Sequence, residues 1–199
     1  MKPVFYLLAG PNGAGKSTLY KALLAAGQIP GEAEFVNADL HEAAHLQHIP
    51  DAQQRSEAAR LWADQRRGEL LAAGKSFVSE IVFSHESKLA LIAQAQEKGF
   101  FVLLLVVCMD DPKRLLKRVS QRIREGGHAV PADRILARYP RTLANLQKAV
   151  RLADTALLHD SETVLPGAHR LIAACAGTST QVLHEPLPDW ARRVLGVGE

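Results

Sequence analysis

The sequence is poor in cysteine and lacks any long hydrophobic run, and each shortage excludes a class of protein. Its two cysteines, Cys108 and Cys175, have no spacing typical of a disulfide or zinc framework. The longest apolar run, from Phe100 to Met109, falls far short of the ~18 residues that a membrane-spanning helix needs. The first apolar stretch leads directly into a glycine loop, so no signal peptide is expected. We therefore expect a cytoplasmic protein with reduced thiols and no membrane partner.

The overall composition is that of an ordinary globular domain. Apolar residues make up 47% and charged residues 23% of the 199 positions, and the formal net charge is +3. A chain of this length can bury a core without disulfides or structural metals. The weak positive charge suits a protein that handles anionic ligands, but it is too small to indicate a nucleic acid as partner. We predict one domain over residues 1–199.

Short apolar segments alternate with longer helical patterns along most of the chain. Predicted strands cover residues 4–9, 34–39, 76–83, 100–109 and 155–159, and predicted helices cover residues 17–26, 52–73, 86–98 and 112–125. Strands that alternate with helices form βαβ units, whose sheet is mainly parallel and covered on both faces. The pattern predicts a three-layer αβα fold with five or slightly more strands. The unbroken apolar run over residues 100–109 predicts a strand at the centre of the sheet.

Glycine and proline interrupt this pattern in the second half of the chain. Gly126-Gly127 follows one helix, and residues 131–139 predict a short second one. Because proline lacks an amide hydrogen and clashes with the preceding turn, we expect Pro140 to end this helix and to open another that runs to about residue 153. Beyond residue 162 the sequence predicts only a strand near residues 181–184 and a helix over residues 189–195.

One glycine-rich segment carries the clearest chemical signal. The pattern Gly-x-x-x-x-Gly-Lys-Ser runs from Gly10 to Ser17, between the first predicted strand and the first predicted helix. In such a loop the backbone amides surround phosphate oxygens, the lysine reaches the β- and γ-phosphates, and the serine hydroxyl binds Mg²⁺. The sequence therefore predicts ATP and Mg²⁺ as ligands, with Ser17 on the metal. The residues predicted to bind the nucleotide are Gly10, Pro11, Asn12, Gly13, Ala14, Gly15, Lys16, Ser17 and Thr18.

A phosphate loop alone fits several classes of nucleotide-binding protein. A GTPase would carry a guanine-selecting Asn/Thr-Lys-x-Asp segment, which the sequence lacks. The loop sequence is similar to that of transporter ATPases, but no Leu-Ser-Gly-Gly-Gln-like segment or strand ending in Asp-Glu accompanies it. A kinase for small molecules is the favoured interpretation. An ATPase or nucleotide switch without a small acceptor, and a kinase for nucleic-acid ends, stay open as alternatives.

Two carboxylates are candidates for the acceptor side of a kinase site. Asp39 follows the second predicted strand, where ligands gather in open α/β sheets, and could act as the base for an acceptor hydroxyl. Its alternative role is a helix N-cap. Glu80 interrupts an apolar strand, where a carboxylate is costly unless it faces a polar site. It could orient a water on Mg²⁺ or a substrate hydroxyl, or it could pair with an arginine. Asp111, before Pro112, is expected to cap a helix rather than to bind metal.

Seven arginines lie between residues 114 and 141, on both sides of Gly126-Gly127. Such a cluster is typical of a mobile lid that brings guanidinium groups over the phosphates, and we predict a helical lid over about residues 118–145. A solvated basic face or a nucleic-acid surface is the alternative. The arginines predicted to act in catalysis, together with Lys16, Asp39 and Glu80, are Arg124, Arg134, Arg138 and Arg141.

These segments together resemble the zeta-toxin-like group of P-loop kinases. The resemblance covers about residues 3–161 and rests on the phosphate loop, Phe35-Val36-Asn37-Ala38-Asp39, Ser79-Glu80, Arg124-Glu125-Gly126-Gly127-His128-Ala129-Val130-Pro131 and Arg138-Tyr139-Pro140-Arg141. It implies a kinase that uses ATP and Mg²⁺ to phosphorylate UDP-N-acetylglucosamine or another small hydroxyl acceptor, with a small antitoxin protein as partner. It also implies that Asp39 is the base, and that Glu80 and the lid arginines match site residues of the family.

Overall fold

The computed structural model describes residues 2–124, 132–162 and 169–198, except for the side chain of Arg122. Within these ranges the strands are β1 (Val4–Ala9), β2 (Glu34–Val36), β3 (Phe77–Ile81), β4 (Phe101–Cys108), β5 (Thr155–Asp160), β6 (Arg170–Ala176) and β7 (Ser179–Val182). They form one sheet in the order β2-β3-β1-β4-β5-β6-β7. Strands β1 to β5 are parallel, and β6 and β7 are antiparallel to their neighbours. The predicted α/β fold with a mainly parallel sheet is confirmed.

Helices cover both faces of this sheet. They are α1 (Lys16–Ala25), α2 (Ala38–His45), α3 (Ala52–Ala72), α4 (Ala90–Glu97), α5 (Pro112–Arg124), α6 (Ala132–Leu152) and α7 (Asp189–Leu195), and a 3-10 turn over Glu86–Leu89 precedes α4. One core packs α3, α4, α6 and α7 against one face, and a second core packs α1, α5 and the start of α6 against the other. None of the described helices is both long and apolar enough to cross a membrane.

Strand β4 lies at the centre of the sheet, between β1 and β5. Leu104 and Val106 point into one core, and Leu105 and Val107 point into the other. Because both faces of the strand are covered, every position is apolar, as its sequence predicts. The carboxyl ends of the parallel strands share one edge of the sheet, and the loops that leave this edge carry the candidate site.

The expectation that Pro140 separates two helices is wrong, because α6 runs through it without a break. Proline inside a helix costs about 3 kcal/mol or more, since it removes one backbone hydrogen bond and crowds the preceding turn. Here α6 is anchored on both sides of the proline: Ile135 packs into one core before it, and Leu143 and Leu146 pack into the other core after it. Pro140 itself is exposed. Tertiary packing therefore outweighs the local preference.

Several other boundaries differ from those predicted. β2 ends at Val36 rather than at residue 39, because α2 begins at Ala38. The sequence did not predict β6, whose alanine-rich run has only one β-branched residue, Ile172, to mark it as a strand. The predicted strand near residues 181–184 corresponds to β7, which lies two residues earlier at Ser179–Val182. The predicted helix over residues 86–98 is divided into the 3-10 turn and α4.

Candidate active site

The phosphate loop joins β1 to α1, and two of its glycines meet strict local demands. A Cβ atom on Gly10 would lie 2.0 Å from the carbonyl oxygen of Val107 in β4, so no larger residue fits there. Gly15, which directly precedes α1, has a φ of +97°, a conformation that favours glycine. These positions let the loop turn sharply above β4 and point the N-terminus of α1 at the space over the loop. Such an arrangement of backbone amides and helix dipole suits an anion.

Lys16 is buried, with only 4% of its surface exposed, although it carries an ammonium group. Its Nζ atom donates to the carbonyl oxygens of Gly10 at 2.9 Å and Pro11 at 3.0 Å. It also lies 3.5 Å from Oε1 of Glu80. A buried charge needs such partners, and a phosphate oxygen is a stronger one than a neutral carbonyl. The ammonium group is thus held inside the loop, where it can exchange carbonyl oxygens for phosphate oxygens.

Glu80 lies in β3 opposite Leu8 of the adjacent strand β1, and this register brings it to the phosphate loop. Its Oε2 atom accepts hydrogen bonds from Ser17 Oγ at 2.7 Å and from Asn37 Nδ2 at 3.1 Å. The structure therefore brings together Lys16, Ser17 and Glu80, which the sequence singled out separately. It adds Asn37, whose place in this cluster no local sequence pattern indicates.

The Ser17 hydroxyl and the Glu80 carboxylate together fit a magnesium ion. Mg²⁺ prefers hard oxygen ligands, keeps several waters, and is usually held by one or two carboxylates together with substrate phosphates. These two groups are adjacent and belong to the phosphate loop and to the next strand of the sheet. In the part of the chain that the structure describes, no cluster of three or more histidine, cysteine or acidic side chains offers a separate metal site.

Asp39 stands in the first turn of α2, two residues after the helix cap. The cap is Asn37, whose Oδ1 accepts a hydrogen bond from the Leu40 amide at 3.1 Å. The alternative of Asp39 as N-cap is therefore wrong. The Asp39 side chain is exposed, and its carboxylate has no hydrogen-bond partner among the described residues. It lies at the carboxyl edge of the sheet with its oxygens available to a ligand.

Two arginines of α5 hold the chain segment after β5 against the flank of the phosphate loop. Arg118 donates to the carbonyl oxygen of Ser161 at 2.7 Å, and Arg114 donates to that of Glu162 at 3.1 Å. Burial, followed by the charge of Arg114, lowers the pKa of Arg118. The same helix touches the loop directly, because a Cβ atom on Gly13 would lie 2.7 Å from the Leu115 carbonyl oxygen. These two arginines thus stabilise the packing of α5 against the segment that follows β5, at the edge of the site.

The four arginines predicted to act in catalysis are placed differently. Arg124 ends α5, and Arg134, Arg138 and Arg141 lie in the first half of α6. The side chains of these four form no hydrogen bond or ion pair with another described residue. The glycines and His128 at the centre of the predicted lid lie outside the described residues. From Thr142 onward one face of α6 is buried in the core, so the last residues of the predicted lid belong to the packed body of the protein.

The sequence singled out neither of two histidines near the loop. Ring atoms of His169 lie between 2.8 and 3.9 Å from the position that a Cβ atom would take on Gly15. His159 is buried in β5, where desolvation and the neighbouring His169 lower its pKa to about 4. No local pattern could have indicated either contact, because each depends on how distant segments meet in the fold.

Asp111 caps α5 as predicted, since its Oδ1 accepts from the Lys113 amide at 2.8 Å. The adjacent Asp110 has a comparable structural role, which the sequence did not show. Its carboxylate accepts from the amides of Asp189 at 3.0 Å and Trp190 at 2.6 Å, at the start of α7. Both carboxylates are therefore used to fix helices.

A mainly parallel sheet with this loop between β1 and α1 defines the P-loop class of nucleotide-binding proteins. Within that class, residues 1–164 match the zeta toxin family, and the chain belongs to this family. The resemblance inferred from the sequence is confirmed. No match was found among curated proteins.

Solved structures share the fold at low sequence identity. The structure of AvrRxo1-ORF1:-ORF2 with ATP has a TM-score of 0.72 and 20% identity, over 92% of this chain and 61% of that chain. A structure from the PezAT chromosomal toxin–antitoxin system of Streptococcus pneumoniae has a TM-score of 0.63 and 17% identity, over 82% and 71% of the two chains. The Pnkp1/Rnl/Hen1 RNA repair complex follows with a TM-score of 0.58 and 17% identity, over 74% and 46%. The present protein thus spans 61% of the length of the chain that it matches in the AvrRxo1-ORF1:-ORF2 structure.

Proposed function

We propose that this protein is a phosphotransferase that moves the γ-phosphoryl group of ATP to a hydroxyl of a small molecule. The observation that carries the proposal is the cluster of Lys16, Ser17 and Glu80, together with Asp39 at the same edge of the sheet, whose carboxylate has no partner among the described residues. Membership of the zeta toxin family and the P-loop fold support the same class of reaction. The cluster supplies the donor half of a kinase site, and Asp39 supplies the acceptor half.

On the donor side, the loop amides and the Lys16 ammonium group hold the phosphates of ATP. Lys16 is fixed by two carbonyl oxygens of the loop, so little reorganisation is needed when phosphate oxygens replace them. Mg²⁺, when bound, neutralises charge on the β- and γ-phosphates. Ser17 and Glu80 would hold this ion, Ser17 directly and Glu80 through a bound water or directly.

On the acceptor side, Asp39 accepts the proton of the attacking hydroxyl. The hydroxyl oxygen forms a bond to the γ-phosphorus while the bond to the β–γ bridging oxygen breaks, and ADP leaves with that electron pair. A carboxylate without a competing hydrogen bond is well suited to this step. Arg124, Arg134, Arg138 and Arg141 have no partner among the described residues, so they are available to stabilise the charge on the transferring group.

The proposal also names a class of acceptor and a kind of protein partner. The resemblance to zeta toxins favours UDP-N-acetylglucosamine or another nucleotide sugar as acceptor, and a small antitoxin as partner. The name of the PezAT system describes that system as a toxin and its antitoxin, and AvrRxo1-ORF1 forms a complex with ORF2. We propose that the present protein is likewise held by a small protein partner.

A screen with γ-labelled ATP tests this function and its alternatives together. The purified protein is incubated with Mg²⁺, labelled ATP and pools of nucleotide sugars, other metabolites or oligonucleotides. Label on a small metabolite supports the proposal and identifies the acceptor class. Label that appears only as free phosphate indicates an ATPase or nucleotide switch. Label on oligonucleotide ends indicates a nucleic-acid kinase, in which case acceptor binding should also weaken steeply with salt.

A further inference from the structure

Asn37 uses both ends of its side-chain amide, and the two ends reach different halves of the site. Its Oδ1 atom accepts from the Leu40 amide at 3.1 Å and caps α2. Its Nδ2 atom donates to Oε2 of Glu80 at 3.1 Å. Only 6% of the residue is exposed, so the amide itself is buried. Buried amides that are satisfied at both ends have a fixed orientation.

The hydrogen bond to Glu80 restricts the carboxylate where it matters for a metal. Oε2 is shared by Ser17 Oγ and Asn37 Nδ2, and Oε1 faces the ammonium group of Lys16. The carboxylate therefore cannot rotate without breaking one of these contacts. Partners of this kind, one step removed from a metal or substrate, orient the ligand that makes the direct contact.

The hydrogen bond to Leu40 fixes the acceptor side of the site, where Asp39 lies. Asp39 stands in the first turn of α2, directly before the amide that Asn37 caps. Capping at this point sets where the helix begins and hence where the Asp39 carboxylate stands relative to the strand edge.

We infer that Asn37 is a positioning residue that holds the metal-side carboxylate of Glu80 and the acceptor-side carboxylate of Asp39 in a fixed relation. The inference rests on the proposed roles of Glu80 and Asp39. The residue type agrees with it: serine, threonine and aspartate also cap helices, but a side chain that both accepts and donates over this span must carry an amide. Aspartate at this position would place a second carboxylate against Glu80.

The test separates the two ends of the amide. Asn37→Ser keeps a good helix cap but is too short to reach Glu80, whereas Asn37→Ala loses both contacts. Asp51→Ser is the matched control, because Asp51 caps α3 through the Gln54 amide at 2.7 Å and is exposed. For each variant we would measure thermal unfolding, the Mg²⁺ concentration that half-saturates binding of a fluorescent ATP analogue, and kcat and KM for phosphoryl transfer.

We expect Asn37→Ser to lower kcat and to raise the half-saturating Mg²⁺ concentration, each by about 10- to 100-fold, with little change in KM for the acceptor. Its melting temperature should fall by about 2–4 °C because the hydrogen bond to Glu80 is lost, and Asn37→Ala should melt lower still because the cap is also lost. Asp51→Ser should keep wild-type Mg²⁺ dependence and kcat. A wild-type Mg²⁺ dependence together with a wild-type kcat in Asn37→Ser overturns the inference.

The readouts also distinguish this inference from the proposed function. If the wild type transfers no phosphoryl group to any acceptor, the proposed kinase function fails, but the Mg²⁺ dependence of ATP binding still reports on Glu80. A shift of that dependence in Asn37→Ser would then still support the claim that Asn37 orients Glu80. An unchanged Mg²⁺ dependence would contradict that claim.

Discussion

Ser17 in the phosphate loop donates a hydrogen bond of 2.7 Å to the carboxylate of Glu80 in the neighbouring strand. Ser17 is identified by the loop motif. Glu80 reaches the loop only because the register of the sheet places it opposite Leu8 in β1. Lys16 stands beside both, 3.5 Å from the other carboxylate oxygen. One carboxylate thus contacts both a hydroxyl and an ammonium group at the place where we propose that the ATP phosphates and their metal bind.

Glu80→Gln should impair transfer while leaving the fold intact. The amide has nearly the same size and can still accept from Ser17, but it loses the charge that faces Lys16 and a bound cation. We expect a loss of about 10- to 100-fold in kcat, together with a higher Mg²⁺ requirement. Glu69→Gln is the matched control, because Glu69 is an exposed carboxylate of α3 whose partners are Gln65 and Arg66. A rate equal to that of the wild type would remove Glu80 from the site.

The phosphate loop, which forms the donor half of the proposed site, was predictable because its signals are local. A buried strand, a glycine loop with lysine and serine, and a helix follow one another within a short segment, so neighbours in sequence decide the structure. Glu80 was also predictable as a site candidate, since a carboxylate in an apolar strand is costly unless it has polar partners. Its contact with Ser17 was not, because that contact depends on the pairing of β1 with β3.

Other features depended on competition between local and tertiary preferences. Asn37 and Asp39 are both good cap residues, and the choice between them depends on where β2 ends. Pro140 favours a break, but packing of α6 on both sides of it prevails. The alanine-rich β6 has little strand propensity and forms because β5 offers it an antiparallel neighbour. In each case the deciding contact lies far away in the chain.

Tyr139 ties α6 to the end of β4, and removal of its hydroxyl should weaken the fold. Tyr139 Oη donates to the carbonyl oxygen of Met109 at 2.7 Å, and burial raises the pKa of this phenol. Tyr139→Phe leaves the buried carbonyl without this donor, at a cost of about 1 kcal/mol. The melting temperature should fall by about 2–4 °C.

Tyr20→Phe is the control for this change. Tyr20 stacks on Phe35 with ring centroids 4.0 Å apart, and its hydroxyl has no hydrogen-bond partner among the described residues. The control should melt at the wild-type temperature. Equal melting temperatures for both variants would show that the Tyr139 hydroxyl does not anchor α6.

His159 should make the fold sensitive to mild acid. Burial holds its pKa at about 4, below the ordinary value of 6.5, so protons bind more readily to the unfolded chain. The stability that its neutral form contributes is complete above about pH 6.5 and is lost as the pH falls towards 4. The free energy of unfolding should therefore decrease by up to about 3 kcal/mol over this window.

Chemical denaturation of the wild type and of His159→Leu between pH 7 and pH 4 measures this effect. The decrease should be smaller in the variant, because leucine does not titrate in the apolar surroundings that include Tyr6, Leu105 and Leu171. His48→Gln, at an exposed position, should retain the wild-type dependence. Parallel curves for the wild type and His159→Leu would assign the acid sensitivity to other groups.

The proposed reaction depends most on Asp39, which acts as the base for the acceptor hydroxyl. The most direct measurement is single-turnover transfer from γ-labelled ATP to the acceptor that the screen identifies, with wild-type protein and Asp39→Asn side by side. ATP binding by Asp39→Asn should equal that of the wild type, because Asn37 still caps α2 and the loop is unchanged. Transfer should fall by at least about 100-fold, the usual contribution of a positioned base. Full transfer activity in Asp39→Asn would contradict the account.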